Sequence, residues 1–398
     1  MLAPLLLVLV PLLLAGGIWL GGHPGWLPSP ARDALVGDSD SQLYEEAVDA
    51  IAEDYYRPID RRKLLNTSLD AAVDSLEDRF SDYYSPTAYT RFQQQTNGEF
   101  VGIGVSVRDE TALRRGLRVL KVYDGSPAAR AGIETGDDIL TVDGRPTKGQ
   151  STREVTARIR GPVGSSVRLS FGAATDARRT ATVPRERVAL PIVQSRMETV
   201  KGQKVVYASL ASFTSGAHGE LGARIRKGLK AGAKGVVLDL RDNGGGLLDE
   251  AVLVSSIFLS EGKVVSTRGR AKRERIYAAT GGAIDADVPV VVLVNGNSAS
   301  ASEIVAGALQ DRERARVVGE KTFGKGVFQE VKRLSSGGAI SITVGSYFLP
   351  SGRNLGGGGV KQGRGVTADV RAVDDRSTKP DEALRKALEV VTAPAAQR

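Results

Sequence analysis

The chain has 398 residues, 41% hydrophobic and 25% charged, enough for two or three domains with ordinary cores. Lysine and arginine number 54 against 46 acidic residues, and the resulting +8 is interspersed in a chain only 5% aromatic, which argues against a nucleic-acid-binding protein. There is no cysteine and only two histidines, His23 and His218, so disulfides, thiolate chemistry and Cys- or His-rich metal sites are excluded, and a Ser-His-Asp triad nearly so.

Residues 1–22 carry no charged side chain and match the ~20 apolar residues that cross a bilayer as a helix. They read as a signal peptide or membrane anchor, with an uncleaved anchor preferred and the body placed outside the cytoplasm. The basic n-region and an A-x-A site are missing, and Pro4 and Pro11 interrupt the helix. Residues 23–40, rich in Gly, Pro and Ser, read as a linker. Over 41–96 the apolar spacing is helical: Leu43, Ala47, Ala50 and Ile51, then Leu64, Leu65, Leu69, Ala72 and Leu76.

Over 97–188 the texture changes to short β-like runs (GIGVSV, LRVLKVY, DDILTVDG, SVRLSFG) interrupted by one helix, Thr152 to Arg160. From 189 to 375 near-continuous Val/Leu strands such as GVVLDL and VPVVVLVN alternate with helical stretches, the pattern of a buried, largely parallel sheet. Residues 376–398 look like a short charged helical tail that frays. The fold class is mixed α/β.

Four constellations could carry chemistry. In NGNSASASE, Ser300 stands where a strand turns into a helix, where free N–H groups and the helix dipole favour a developing oxyanion. The plain alternative is that Ser300 and Glu303 form a capping box and nothing more. Lys325 in TFGKGVFQ follows 25 residues later and is the plausible base in a chain almost without histidine. A lysine serves only when neutral, and moving it from ~10.4 to about 7 disfavours the ammonium by roughly 4–5 kcal/mol. Phe323, Val327 and Phe328 offer apolar cover, and Gln329 is placed to orient the amine; otherwise Lys325 is a solvated loop lysine. Lys321 competes but lacks flanking glycines.

The third constellation, Asp239 to Gly246, is a glycine turn at a strand's carboxyl end, where ligands bind in open α/β sheets. It lacks the GxGxxG and GxxxxGK[ST] spacings, and the plain alternative is a turn braced by an Asp239–Arg241 pair. In the fourth, Phe100 to Val105, successive N–H groups around two glycines suit a peptide's terminal carboxylate, and the adjacent strand edge suits the peptide itself. A routine strand-edge turn is the alternative.

Together these residues resemble the carboxyl-terminal processing (tail-specific) serine peptidases, over nearly everything from Ser41 to about Asp374. The signatures VLDLRDNGGG, VNGNSASASEIVAGALQD, VVGEKTFGKGVFQ and YFLPSGR stand in that family's order. The resemblance implies a spiral α/β peptidase core with an inserted PDZ domain and an N-terminal helical region. Ser300 matches the nucleophile, Lys325 the general base and Gln329 the residue that positions it. The backbone N–H of Ala301 and of Gly245 or Gly246 match the oxyanion hole. Gly102, Ile103, Gly104 and Val105 match the PDZ carboxylate-binding loop, the helix Thr152 to Arg160 lines its groove, and Arg160 is a candidate for coupling PDZ domain to peptidase. The implied partners are protein or peptide substrates with a free C-terminus and, through residues 1–22, the membrane; no metal or other cofactor and no nucleic acid is implied, and a homodimer is compatible. The departures are Ala368, where the family usually carries proline, and FSDYYSP in place of an Asp-Pro-Tyr-type signature. An inactive PDZ scaffold on a peptidase-like body is the alternative function.

Overall fold

A computed structural model describes residues 39–108, 113, 115–173, 177–189, 191–357, 359–361, 364–374 and 381–394. The apolar segment 1–22 lies outside the described residues, and among those described no helix is long and apolar enough to cross a membrane. The chain divides into two compact units, one ending at Tyr83 and the other beginning at Tyr84.

The first unit is built on helices α1 (Ser39–Asp54) and α2 (Arg61–Asp74), followed by the short strand β1 (Asp82–Tyr84). Asp60 starts α2 by accepting the N–H of Arg62 at 2.9 Å, and Arg61 pairs with Asp49 of α1 at 2.6 Å. The second unit opens with α3 (Pro86–Thr96), whose proline sits in the first turn, where its missing N–H costs nothing.

Strand β2 (Glu99–Gly102) pairs antiparallel with β9 (Glu186–Ala189), and the β-rich module lies between them in sequence. Its sheet runs β3 (Val105–Val107), β4 (Leu117–Val122), β5 (Asp138–Val142), β7 (Ser166–Gly172), β8 (Arg179–Pro184), with β6 (Arg145–Pro146) paired to β5. Helices α4 (Pro127–Arg130) and α5 (Thr152–Ile159) complete it. A Ser151–Glu154 capping box sets the start of α5, and Val155 and Ile159 bury its inner face against Ile139, Leu169 and Phe171.

The larger sheet runs β10 (Val193–Val200), β11 (Gln203–Leu210), β12 (Val236–Asp239), β15 (Val290–Val294), β16 (Arg316–Gly319), β19 (Val370–Arg371); only the β10–β11 pairing is antiparallel. The apolar runs bury both faces with period two. Val206, Ala208, Leu238 and Val292 meet α6 (Ala217–Lys230), α7 (Leu248–Ser256) and α8 (Ala301–Asp311), whereas Tyr207, Val237, Val291 and Leu293 meet α9 (Glu382–Val391). Over Glu382–Val391 the tail is a docked helix and not a frayed one: Ala383, Leu384, Ala387, Leu388 and Val391 form a helical stripe on the sheet. A further antiparallel sheet runs β17 (Val327–Arg333), β18 (Ala339–Phe348), β13 (Lys263–Gly269), β14 (Lys272–Ala278).

Candidate active site

Strands β12 and β15 are parallel neighbours, so the loops at their carboxyl ends stand side by side. One is the glycine turn before α7, the other the Asn295–Ser300 turn before α8. Ser300 adopts φ 56° and ψ −115°, a left-handed region that costs a non-glycine residue of order 1–3 kcal/mol and persists only when its surroundings hold it. Glu303 supplies part of that hold: its Oε2 accepts the Ser300 N–H at 2.9 Å.

Asn243, fully buried, joins the two turns. Its carbonyl accepts the Ala299 N–H at 3.1 Å and the Ser302 hydroxyl at 2.8 Å, its Oδ1 accepts the Gly245 N–H at 2.9 Å, and its Nδ2 donates to the Leu210 carbonyl at 2.8 Å. Gly245 (φ 105°) is in close contact with the serine turn: a Cβ there would lie 2.8 Å from Ser300 Cβ and 3.0 Å from Ala301 N. Gly246 (φ 148°) is pressed against the Phe213 carbonyl, 2.4 Å from where its Cβ would be. Only glycine fits either place. The flanking bonds, Phe213 N–H to the Gly245 carbonyl (3.0 Å) and Leu247 N–H to the Phe213 carbonyl (2.8 Å), do not use the Gly246 N–H.

Below the turn, Arg241 is bound by Asp239 at 2.7 Å, by Asp381 at the start of α9 at 2.8 Å, and by Asp374. Burial opposes its charge, but the carboxylates win and its pKa is raised. The Tyr207 hydroxyl donates at 2.8 Å to Asp239 Oδ2, the same oxygen that takes the 2.7 Å bond from Arg241. Asp239 and Arg241 thus brace the turn, as their spacing suggested, and they also tie it to α9.

Lys325 arrives from β16 at the head of β17. Its N–H donates to Glu303 Oε2 at 2.9 Å, while Oε1 of the same carboxylate accepts the Gly324 N–H at 2.8 Å and the Thr322 hydroxyl at 2.6 Å. Burial pushes the Glu303 carboxyl up, and the four donated hydrogen bonds pull against that. The Lys325 carbonyl accepts from the Tyr347 hydroxyl. Burial, and then the Glu303 charge, hold that phenol well above its ordinary pKa, so it remains a neutral donor. Asn354 Nδ2 fixes the next peptide through the Gly326 carbonyl at 2.7 Å.

The half-buried Lys325 amine donates to Gln329 Oε1 at 2.8 Å, and Gln329 Nε2 donates to Thr343 Oγ1 at 2.9 Å, so the amide links the lysine to β18. Lys321 is exposed, so the two lysines of the motif differ in environment as well as in flanking residues. The arrangement brings Ser300, Ala301, Gly245, Lys325 and Gln329 into one locality. Sequence reasoning missed Asn243, Tyr347, Asn354 and the long-range half of the Glu303 contacts. The one signal available in the sequence is the Ser-x-x-Glu spacing, which by itself reads as local capping.

The carboxylate-loop residues lie in the β-rich module. Gly102 ends β2, the Ile103 side chain is buried in the module core, and Val105 opens β3, the end strand of its sheet. The carbonyls of Ile103 and Gly104 accept the N–H groups of Ala128 (2.8 Å) and Tyr123 (3.0 Å) and so face the module. Arg160 caps the C-terminus of α5 and is exposed. The buried arginine there is Arg185, which donates to the Arg158 carbonyl at 3.0 Å and the Ile159 carbonyl at 2.7 Å.

The chain matches the model of peptidase family S41 over residues 204–371 and that of a PDZ domain over residues 118–171. Fold and matches together define a serine-type peptidase, a peptide-bond hydrolase, that carries a peptide-binding PDZ domain. A carboxyl-terminal-processing protease of Synechocystis sp. is 32% identical over 96% of this chain and 92% of its own, and one of Bartonella bacilliformis is 38% identical over 78% and 70%. Among solved structures, a photosystem II D1 C-terminal processing protease has a TM-score of 0.50 at 29% identity, covering 91% of this chain and 99% of that one. A putative S41 protease from Bacteroides fragilis, at 18% identity and TM-score 0.52, shares the fold over 85% of this chain and 91% of its own. The chain belongs to the carboxyl-terminal-processing proteases.

Proposed function

We propose that Ser300 and Lys325 are the nucleophile and general base of an endopeptidase that takes its substrates by the C-terminal tail. The observation that carries this reading is the shared Glu303 Oε2, which holds the backbones of both residues within two hydrogen-bond lengths of each other. Neutral Lys325 takes the Ser300 hydroxyl proton as Oγ attacks the scissile carbonyl. Gln329 aims the amine.

The oxyanion is received by the N–H of Ala301, at the first position of α8, and by that of Gly246. The Gly245 N–H is already donated to Asn243, which favours Gly246 of the two glycines. Each such donor supplies about 3–4 kcal/mol of transition-state stabilisation. Collapse of the intermediate returns the lysine proton to the leaving amine, and a water activated by the same lysine hydrolyses the acyl-enzyme.

In this reading the Gly102–Val105 loop receives the substrate's terminal carboxylate, and the free edge of β3, facing α5, takes its last residues as an added strand. Arg160, beside that groove, is the candidate coupling residue. The domain limits given above apply, and the uncharged segment 1–22 anchors an exported body in the cytoplasmic membrane. The full-length protein is assayed with a peptide of free carboxyl end and with its C-terminal amide. Ser300→Ala and Lys325→Ala should each cut cleavage of the free acid by at least ~10³-fold with folding intact, and the amide should show the higher KM. Full activity in either variant removes the dyad.

A further inference from the structure

The turn end of the β13–β14 hairpin, residues 268–275, carries Arg268, Arg270, Lys272, Arg273 and Arg275 against one acid, Glu274, and all five cations are exposed. Lys272 pairs with Glu330 at 2.6 Å, Arg268 lies 4.1 Å over the Phe348 ring and Arg275 4.8 Å over Tyr277. Among the described residues, no carboxylate meets Arg270, Arg273 or Arg275.

Strand β14 is the end strand of its sheet, so its outer edge presents unpaired N–H and C=O groups. Charges on such an edge guard against unwanted strand pairing. Five like charges repel one another and leave a concentrated field. Ile276, 63% exposed, adds an apolar foothold in the middle of the strand. A single exposed aliphatic side chain is too little to insert in a bilayer, and the family acts on polypeptides. The sheet is also the one that holds Gln329 on β17 and Thr343 on β18.

We infer that the β13–β14 hairpin is a docking edge for an acidic, extended stretch of the polypeptide substrate. Its main chain adds to β14 and its carboxylates meet Arg270, Arg273 and Arg275. From Lys272 to Ala278 the strand runs about 20 Å, so the matching segment is about six residues long.

The experiment uses two peptides with the same cleavable segment and the same free C-terminus, one preceded by five glutamates and the other by five glutamines. With the full-length protein, kcat/KM for the acidic peptide is expected to be about tenfold higher at 20 mM salt and near parity at 0.5 M, since exposed charges are screened within ~8 Å at physiological salt. Reversing Arg270→Glu, Arg273→Glu and Arg275→Glu together should abolish that preference while the glutamine peptide is cleaved as before; the corresponding glutamine set serves if the reversal fails to fold. Fluorescence anisotropy of the labelled glutamate peptide on the Ser300→Ala chain, tenfold weaker after reversal, reads the docking even if the catalytic assignment fails. Equal use of both peptides by the unaltered protein, or a preference that survives reversal, overturns the inference. So does pelleting with phosphatidylglycerol vesicles that is lost on reversal without any peptide preference.

Discussion

Ser300 and Lys325, 25 residues apart in sequence, hang their main-chain N–H groups on one oxygen of one buried carboxylate, each at 2.9 Å. A shift of Glu303 therefore moves both ends of the proposed catalytic pair.

Glu303→Gln is the sharpest probe of that link. The amide keeps the volume but turns one acceptor into a donor facing other donors, an unsatisfied buried group worth roughly 1–3 kcal/mol. The variant is expected to melt several degrees lower in a calorimeter and to lose about 10²-fold in kcat with KM little changed. A kcat within twofold of the original would show that the carboxylate serves only folding.

Gln329→Glu tests the amine's environment with a defined sign. A carboxylate at 2.8 Å in place of the amide oxygen favours the ammonium, so the base keeps its proton to higher pH. The acid limb of the kcat/KM profile should move up by at least about one pH unit, whereas Gln329→Ala should lower kcat with a smaller displacement. Both are read from pH–rate profiles with the free-acid peptide.

Asn243→Ala removes the acceptor of the Gly245 N–H and the donor to Leu210 in one step. The expected result is a loss of about 2–3 kcal/mol in denaturant stability and a fall in kcat. Affinity of the PDZ domain for a tail peptide, measured by anisotropy, should be unchanged, because the lost bonds lie in the peptidase core.

Asp381 gives a pH dependence of stability. Burial, the largest single influence, raises its carboxyl, but the hydrogen bonds from Arg241 and the Leu384 N–H and the Arg241 charge together lower it by more, so its pKa lies below the ordinary carboxylate value. A lowered value stabilises the folded state above the unfolded pKa, near 4, and the benefit disappears as pH falls through the folded value. Thermal melts of Asp381→Asn and the unaltered protein should differ at pH 7 and converge toward pH 3. The side chain is 39% exposed, so the difference should not exceed about 1 kcal/mol.

Much of this site was legible because its parts are short-range. A strand, a turn and a helix start place Ser300, and Lys325 and Gln329 share one segment. What escaped is what tertiary structure alone creates. Glu303 reads as a cap for its own helix until Thr322, Gly324 and Lys325 fold onto it. Asn243 is an unremarkable turn asparagine until Ala299 and Ser302 reach it. The motif around Arg160 gives no sign that the arginine buried against the end of α5 is Arg185, from the junction of β8 and β9. The docking of α9 had a signal, the apolar spacing at 383, 384, 387, 388 and 391, obscured by the charged residues around it.

The Arg241 cluster also imposes an order on biosynthesis. Asp374 and Asp381, which complete it, leave the ribosome more than 130 residues after the arginine. Until they emerge, the turn beneath the glycines has Asp239 as its sole acidic brace, so a nascent or prematurely terminated polypeptide holds an incompletely buttressed hydrolytic centre.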